Sequence, residues 1–146
     1  MKDQVLHLRI TLALSAIDDL IPSYMQVEED KAISNGNVAI CIIDEEGMVY
    51  GRMYGNDKAR KRQSYKIAWT KASQVWLTGV KTGDYERLVF NKVVDMNANG
   101  IQAPDLIGWE GGQPITLSDG TQLSIGFSGF RGATDLEIVT KAFKKI

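Results

Sequence analysis

The chain has 146 residues, of which 44% are hydrophobic and 24% charged, a composition typical of a globular domain rather than of a disordered chain. Its 17 basic and 18 acidic residues give a net charge of −1, which argues against recruitment of nucleic acid or of an anionic membrane. The sequence shows no signal peptide and no apolar run near the roughly 18 residues of a membrane span, so we expect one cytoplasmic domain over residues 1–146.

The N-terminal part contains two successive apolar patterns. Apolar and polar residues alternate over positions 6–12, which predicts a first strand or an extended lead-in. From Thr11 onward the apolar residues are spaced for a helix, and Pro22 is expected to kink or restart it. We therefore expect two helical pieces that end at Asn35-Gly36, a pair that suits a left-handed helix terminus.

A continuous apolar run, VAICII at 38–43, predicts a strand that is buried on both faces. It contains Cys41, the only cysteine, which we expect to be a small buried hydrophobe. A lone thiol excludes a disulfide within the chain and fits a reducing compartment. The turn DEEG then leads to a hairpin partner at 48–54.

The second half combines helices with another hairpin. A charged segment at 56–63 is expected to lead into a helix at about 64–79, followed by a shorter helix at 85–91 and an irregular stretch at 95–108. Two strands at 113–117 and 122–127 and a last helix at about 134–143 complete the chain. Because hairpins rather than βαβ units supply the strand pairs, the order predicts an α+β fold. We expect an antiparallel sheet of about five strands, flanked by helices in profilin-like α/β/α layers.

Glycines are dense between Trp109 and Asp135, where a Gly-Gly turn, an Asp-Gly turn and a strand-to-helix junction follow one another. The sequence GFSGF around Ser128 lacks the second glycine of a nucleophile elbow, and His7 is the only histidine, so serine-hydrolase chemistry is not expected. The glycine spacing also excludes Rossmann and P-loop motifs. Two interpretations stay open: the backbone forms a cradle for a carboxylate or phosphate, or, more commonly, the glycines let a helix and a strand pack closely.

Two further clusters have both a functional and a structural interpretation. The sequence KARKR at 58–62 is either a site for an acidic ligand or partner or, more commonly, a solvated loop that faces acidic groups of a neighbouring subunit. Trp69 and Trp76 are seven residues apart and share one helix face. For them a core or subunit contact is favoured over a cofactor platform.

Four blocks of the sequence follow one another in a recognisable order. They are Ile43-Asp44 with Gly47, Ala68 with Lys71-Ala72, Gly111-Gly112 with Pro114-Ile115, and Gly126-Phe127-Ser128-Gly129 with Asp135. In these blocks the chain resembles the GlcG/HbpS-like family, which includes the C-terminal domain of PduO. The resemblance covers nearly the whole chain. It implies an antiparallel sheet flanked by helices, homo-oligomeric assembly and, in some members, binding and slow degradation of haem.

The resemblance implies that the glycine-rich turns form a cofactor pocket. Its expected residues are the backbone at four positions and a cation that neutralises an anionic group such as a propionate: Gly111, Gly112, Ser128 and Gly129, with Lys71 or Arg131. Asp135 is expected to cap the last helix or to bond to the junction, which is a structural task.

The chain departs from the family at two points that affect a pocket. After the serine, family members usually have Gly-Gly-Thr, where this chain has Gly129-Phe130-Arg131, so Phe130 is expected to occupy ligand space. Some haem-binding members use a histidine as axial ligand and others a threonine. Here the only histidine is His7, which precedes the aligned blocks and is the one metal-ligand candidate.

These observations favour an oligomeric accessory protein that binds a small anionic ligand, with haem as the cofactor that the resemblance implies. Two alternatives remain. The chain is a small enzyme or subunit of a metabolic operon, in which Lys71 or Asp135 takes part in acid–base chemistry, or it is a scaffolding domain without a ligand. No catalytic residue is assigned from the sequence.

Overall fold

The structure, a computed structural model, describes residues 2–92 and 107–144. Within these ranges the chain forms five helices and four strands, in the order α1 (Lys2–Tyr24), α2 (Glu28–Ser34), β1 (Val38–Asp44), β2 (Val49–Tyr54), α3 (Lys58–Thr78), α4 (Thr82–Phe90), β3 (Gly112–Thr116), β4 (Gln122–Ser128) and α5 (Gly132–Lys144). The strands form one antiparallel sheet in the order β2-β1-β4-β3.

The predicted α+β fold is confirmed, but the described sheet has four strands rather than about five. The difference lies at positions 6–12, where the alternating pattern predicted a strand and the chain is helical. A second pattern with helical spacing runs through the same residues. In it Ile10, Ala13 and Ile17 are fully or almost fully buried, while Leu8 and Leu12 are exposed. Burial of the apolar side chains on one side of the helix therefore favours a helix over a strand in this segment.

The two faces of the sheet bury side chains of different size. On one face Ile40, Ile42 and Phe127 belong to the large core cluster under α1 and α5. On the other face small residues predominate: Ala39 and Cys41 of β1 pack against Ala68 and Ala72 of α3. Every residue of β1 is buried, which confirms the predicted doubly buried strand and the buried thiol of Cys41.

Helix α3 lies close to the sheet at Gly126. A Cβ atom at Gly126 would lie 2.1 Å from the carbonyl oxygen of Ala68 and 2.6 Å from the amide nitrogen of Ala72. Neither atom is able to move away, because both belong to the helix backbone. At Gly126 the structure therefore supports the close-packing interpretation of the glycine-rich segment.

Several element boundaries differ from those predicted. Helix α1 continues through Pro22 to Tyr24, and the two helical pieces then end as expected, with Asn35 in the left-handed conformation. Helix α3 begins at Lys58 rather than near Ser64, because the Asp57 side chain accepts a hydrogen bond from the Arg60 amide and caps the helix. The basic cluster 58–62 is thus helical and not a loop.

The remaining elements agree closely with the predictions. Helix α4 and helix α5 each begin earlier than expected, by three and two residues, and the second hairpin has the expected partners. The predicted irregular stretch 95–108 lies outside the described residues except for its last two. Among the helices in the described ranges, none is long and apolar enough to cross a membrane.

A buried carboxylate joins α2 to the start of α5. Asp30 is fully buried and accepts hydrogen bonds from the Arg131 amide, from Nε and Nη2 of Arg131 and from the Thr134 hydroxyl, at 2.8–3.2 Å. Burial pushes the pKa of Asp30 upward, but the hydrogen bonds and charge of Arg131 and the bond from Thr134 outweigh it and hold the pKa below its usual range.

We expect Asp30→Asn to lower the free energy of unfolding by about 2 kcal/mol at neutral pH, because it replaces a charge-assisted acceptor. The native pKa lies below the unfolded value of about 3.9, so the unfolded chain binds more protons in acid. The stabilisation is therefore complete above that pH and is lost as the pH falls through the native pKa.

Urea unfolding between pH 6 and pH 3 measures both effects. The wild type should lose stability over this range more steeply than Asp30→Asn. Glu29→Gln is the control, since the Glu29 side chain is 73% exposed where it meets Arg131 at 3.4 Å, and it should leave the profile unchanged. Identical acid profiles for wild type and Asp30→Asn would contradict this role of Asp30.

Candidate functional site

A cavity of about 460 Å³ opens beside the junction between β4 and α5. Its walls come from the first half of α3, from Ile33 of α2, from Trp109 and Glu110, and from the junction itself. The volume lies within the roughly 300–1,000 Å³ that small-molecule sites occupy. Apolar side chains, Ile67 and Phe130 among them, supply much of the wall, and the polar groups stand at a few points.

At the inner end of the cavity lies a buried pair, Lys71 of α3 and Asp135 of α5. The Lys71 amine donates to the Phe127 carbonyl oxygen at 2.9 Å and to Asp135 Oδ2 at 3.3 Å. Asp135 Oδ1 accepts from the Phe130 amide at 3.0 Å. Both side chains are almost fully buried. The pair therefore connects α3, the end of β4 and the start of α5.

The low-polarity surroundings act on both members of this pair. Burial lowers the pKa of the Lys71 amine, and the charges of Asp135 and Glu110 oppose that shift. Burial likewise raises the pKa of the Asp135 carboxyl, against the charge of Lys71 and the hydrogen bonds from Phe130 and Lys71. The pair is thus held at a site that disfavours charge on either member alone.

The sequence-predicted pocket residues do not all meet at the cavity. Lys71, Ser128 and Gly129 line it. Gly111 lies behind Lys71: its φ is +123°, and a Cβ there would lie 2.7 Å from the lysine amine. Gly112 packs against Thr82, and the Gly112 amide donates a hydrogen bond to the Thr82 hydroxyl at 3.3 Å. Gly111 therefore packs against the pair and Gly112 against Thr82, and neither glycine lines the cavity.

Arg131 does not line the cavity, because its guanidinium is held by Asp30 and Glu29. Phe130, expected to occupy ligand space, is buried instead in the core on the α1 side, where its ring stacks on Phe127 at 6.0 Å and tilts against Tyr24 at 5.8 Å. Phe130 is nevertheless among the residues that line the cavity, which remains open beside it.

Sequence reasoning missed several residues that line the cavity. They come from two helices and two loops and carry no shared motif: Ile33, Asn37, Gln63, Ser64, Trp109 and Glu110. Arg60 was recognised only as part of a basic cluster. The one local signal was the cap at Asp57: a helix that begins there includes Arg60, Ser64 and Lys71, and their spacing of four and seven residues places them on the same side.

The described lining does not offer a usual ligand for haem iron. Such ligands are His, Cys, Met or Tyr side chains, and none of them borders the cavity in the described ranges. His7 lies on α1, over the other face of the sheet, with its ring 5.7 Å from that of Tyr50. Nor do His, Cys, Asp and Glu side chains cluster into a metal site anywhere in residues 2–92 and 107–144.

The arrangement is suited to binding rather than to nucleophilic chemistry. Ser128 borders the cavity, and within the described part of the chain no side chain forms a hydrogen bond to its hydroxyl, so no base activates it. The Ser64 hydroxyl donates to the Asn37 carbonyl oxygen at 2.9 Å. The Lys71 amine is held by two acceptors, and Arg60 stands at the rim as a cation with donors to spare.

We expect Lys71→Met and Asp135→Ala each to lower the free energy of unfolding by about 3–5 kcal/mol, because each leaves a buried polar partner unsatisfied. The double variant should cost less than the sum of the two, since neither partner is then left alone. Chemical denaturation of the four proteins gives the coupling free energy. Strict additivity would show that the pair does not act as a unit.

Comparisons with known proteins show which family and which solved structures this chain resembles. The family model described as haem degrading protein HbpS-like matches residues 23–144. No curated protein matches the chain. Among solved structures, the PduOC–haem complex has a TM-score of 0.64 at 17% identity, over 92% of this chain and 91% of that one.

Two further structures share the fold. Klebsiella pneumoniae ORFY has a TM-score of 0.65 at 16% identity, over 93% of this chain and 86% of that one. A double mutant of Streptomyces reticuli HbpS has a TM-score of 0.57 at 17% identity, over 91% and 85%. At such identities these likenesses concern the fold, and the family model carries the assignment: the chain belongs to the haem-degrading HbpS-like family.

Proposed function

We propose that this chain is an accessory protein that binds a small ligand in the cavity beside the β4–α5 junction and acts as an oligomer of identical copies. The ligand has an apolar body and an anionic group. The observation that carries the proposal is the cavity itself, which has apolar walls, a cation at the rim and no activated nucleophile among the described residues that line it.

The electrostatics of the cavity favour an anionic group near its rim. Arg60 is exposed there, whereas the charge of Lys71 is opposed by Asp135. Helix α5 also begins at the cavity, at Gly132, so the positive end of its helix dipole lies there. Glu110 is the opposing acidic group in the wall, and it favours a ligand whose negative charge is confined to the Arg60 side.

Haem is the first ligand to test, because the family is described as haem degrading and the PduOC relative is a haem complex. In this chain Trp109, Ile33 and Ile67 would contact the apolar ring, and Arg60 would pair with a propionate. The described lining offers no iron ligand, so these contacts act on the organic part of the group, and we assign no step to the iron.

The cavity distinguishes this proposal from the two alternatives. A ligand-free scaffold has no need of a cavity of this size that carries a cation at its rim. An acid–base role for Lys71 or Asp135 conflicts with their structural role. Each forms a hydrogen bond to the backbone of the β4–α5 junction and so holds the junction together. We therefore favour binding over both alternatives.

We expect iron-free protoporphyrin IX and haemin to bind this chain with affinities within about threefold of each other, since the cavity supplies contacts to the ring and not to the metal. Arg60→Glu should weaken both by about tenfold or more, as expected for loss of a charge-assisted bond. Absorbance and tryptophan quenching titrations measure these affinities.

Two controls sharpen this test. Lys58→Glu makes the same change of charge as Arg60→Glu in the same turn of α3, but at a residue that does not line the cavity. It should leave binding unchanged, as should His7→Ala. A Soret band that disappears in His7→Ala would place the haem elsewhere and overturn the cavity assignment. The absence of binding by both porphyrins would eliminate haem as the ligand.

A further inference from the structure

One flank of the molecule exposes several large apolar side chains. We call it the α3–β2 face; its members are Met48, Val49, Met53, Trp69 and Trp76, each 43–59% exposed. Monomeric proteins rarely leave such a set uncovered in one place. Both tryptophans were expected in the core or at a subunit contact, and their exposure excludes the core.

The strand register and one hydrogen bond place these side chains on the same side of the molecule. Val49 and Met53 pair with Ile43 and Ala39, and so lie on the sheet face that carries α3. The Trp76 indole donates to the Asp44 carbonyl oxygen at 2.9 Å, which fixes this end of the helix to the turn between β1 and β2. The strand and the helix flank therefore form one surface.

Within residues 2–92 and 107–144 the chain covers the other flank of α3 and leaves the α3–β2 face exposed. Gln74 exchanges two hydrogen bonds with the backbone of Ile107, at 2.8 and 2.9 Å. Gln74 lies about 200° around the helix axis from Trp76. In addition, β2 is an edge strand of the described sheet, with hydrogen-bonding groups directed outward.

Charge is distributed unevenly along the α3–β2 face. Arg62, Trp69 and Trp76 are spaced seven residues apart, so they lie on one side of α3 at intervals of roughly 10 Å. Arg62 is exposed at one end. At the other end Trp76 adjoins the β1–β2 turn, which carries the exposed Glu46. The face thus has a basic end, an apolar centre at Trp69 and an acidic end.

We propose that the α3–β2 face binds the same face of a second copy of this chain about a two-fold axis near Trp69, with the two α3 helices antiparallel. A two-fold interface requires a self-complementary surface, and reversal about Trp69 brings the basic end of each copy to the acidic end of the other. The tryptophans and methionines form its apolar centre. This inference deepens the oligomeric part of the proposed function and rests on it.

Trp69→Glu should reduce the molar mass of the assembly by at least half, because it puts two carboxylates at the centre of the interface. Sedimentation velocity at several protein concentrations, with far-UV circular dichroism to confirm folding, provides the measurement. Leu12→Glu is the matched control: its side chain is 51% exposed on α1, which packs on the other face of the sheet, and it should leave the mass unchanged.

A charge exchange tests the antiparallel arrangement directly. Glu46→Arg and Arg62→Glu should each weaken assembly, since each places like charges together at both ends of the interface. An equimolar mixture of the two variants should assemble again, because every contact between unlike copies then joins opposite charges. Separate weakening without recovery on mixing would contradict the two-fold geometry.

The outcomes separate this inference from the proposed function. Assembly that survives Trp69→Glu with unchanged mass would overturn the α3–β2 interface and leave oligomerisation intact. A wild-type protein that stays monomeric at every concentration would overturn both the interface and the oligomeric part of the proposed function. Porphyrin titration decides the ligand separately, since no residue of this interface lines the cavity.

Discussion

The buried pair of Lys71 and Asp135 is the interaction on which the site depends. The lysine reaches the Phe127 carbonyl only because α3 lies against the sheet at small residues, with Gly126 under the backbone of Ala68 and Ala72. A larger side chain at position 126 would move the helix outward and leave two buried polar groups without partners. Close packing and polar satisfaction therefore depend on each other here, and neither is stable if the other is lost.

The same pair, with a second buried carboxylate, holds the wall of the cavity in place. Asp135 accepts from the Phe130 amide and Asp30 from the Arg131 amide, so successive residues of the β4–α5 junction are bound from α5 and from α2. Phe130 is thereby directed into the core, and Arg131 toward α2. The cavity therefore remains open, although the size of the Phe130 side chain had predicted that it would be filled. A cavity that is held open by rigid elements in this way is a preformed pocket, as small-molecule sites commonly are.

The sequence predicted most of the fold because local patterns carry it. The apolar run of β1, both hairpins and the last helix follow from periodicity and turn residues, and each was found within a few residues of its expected bounds. The errors arose where two local patterns competed. Positions 6–12 were predicted as a strand from their alternation, and burial of Ile10 in the core under α1 favoured the helix. At the start of α3, one cap at Asp57 outweighed the repulsion of four cations near a helix N-terminus.

For the candidate site, the sequence by itself determined the kinds of residue present: a glycine-rich junction, a lysine in a small-residue helix, one histidine and a single buried cysteine. It also determined the family resemblance. Only the tertiary structure decided which of these residues meet. Arg131 and Asp30 are 101 positions apart, and Lys71 and Asp135 are 64 apart, so no local pattern records either pairing. Hydrogen-bond partners of buried charges are fixed by how the helices pack on the sheet, and that packing sets which groups lie behind the cavity and which face it.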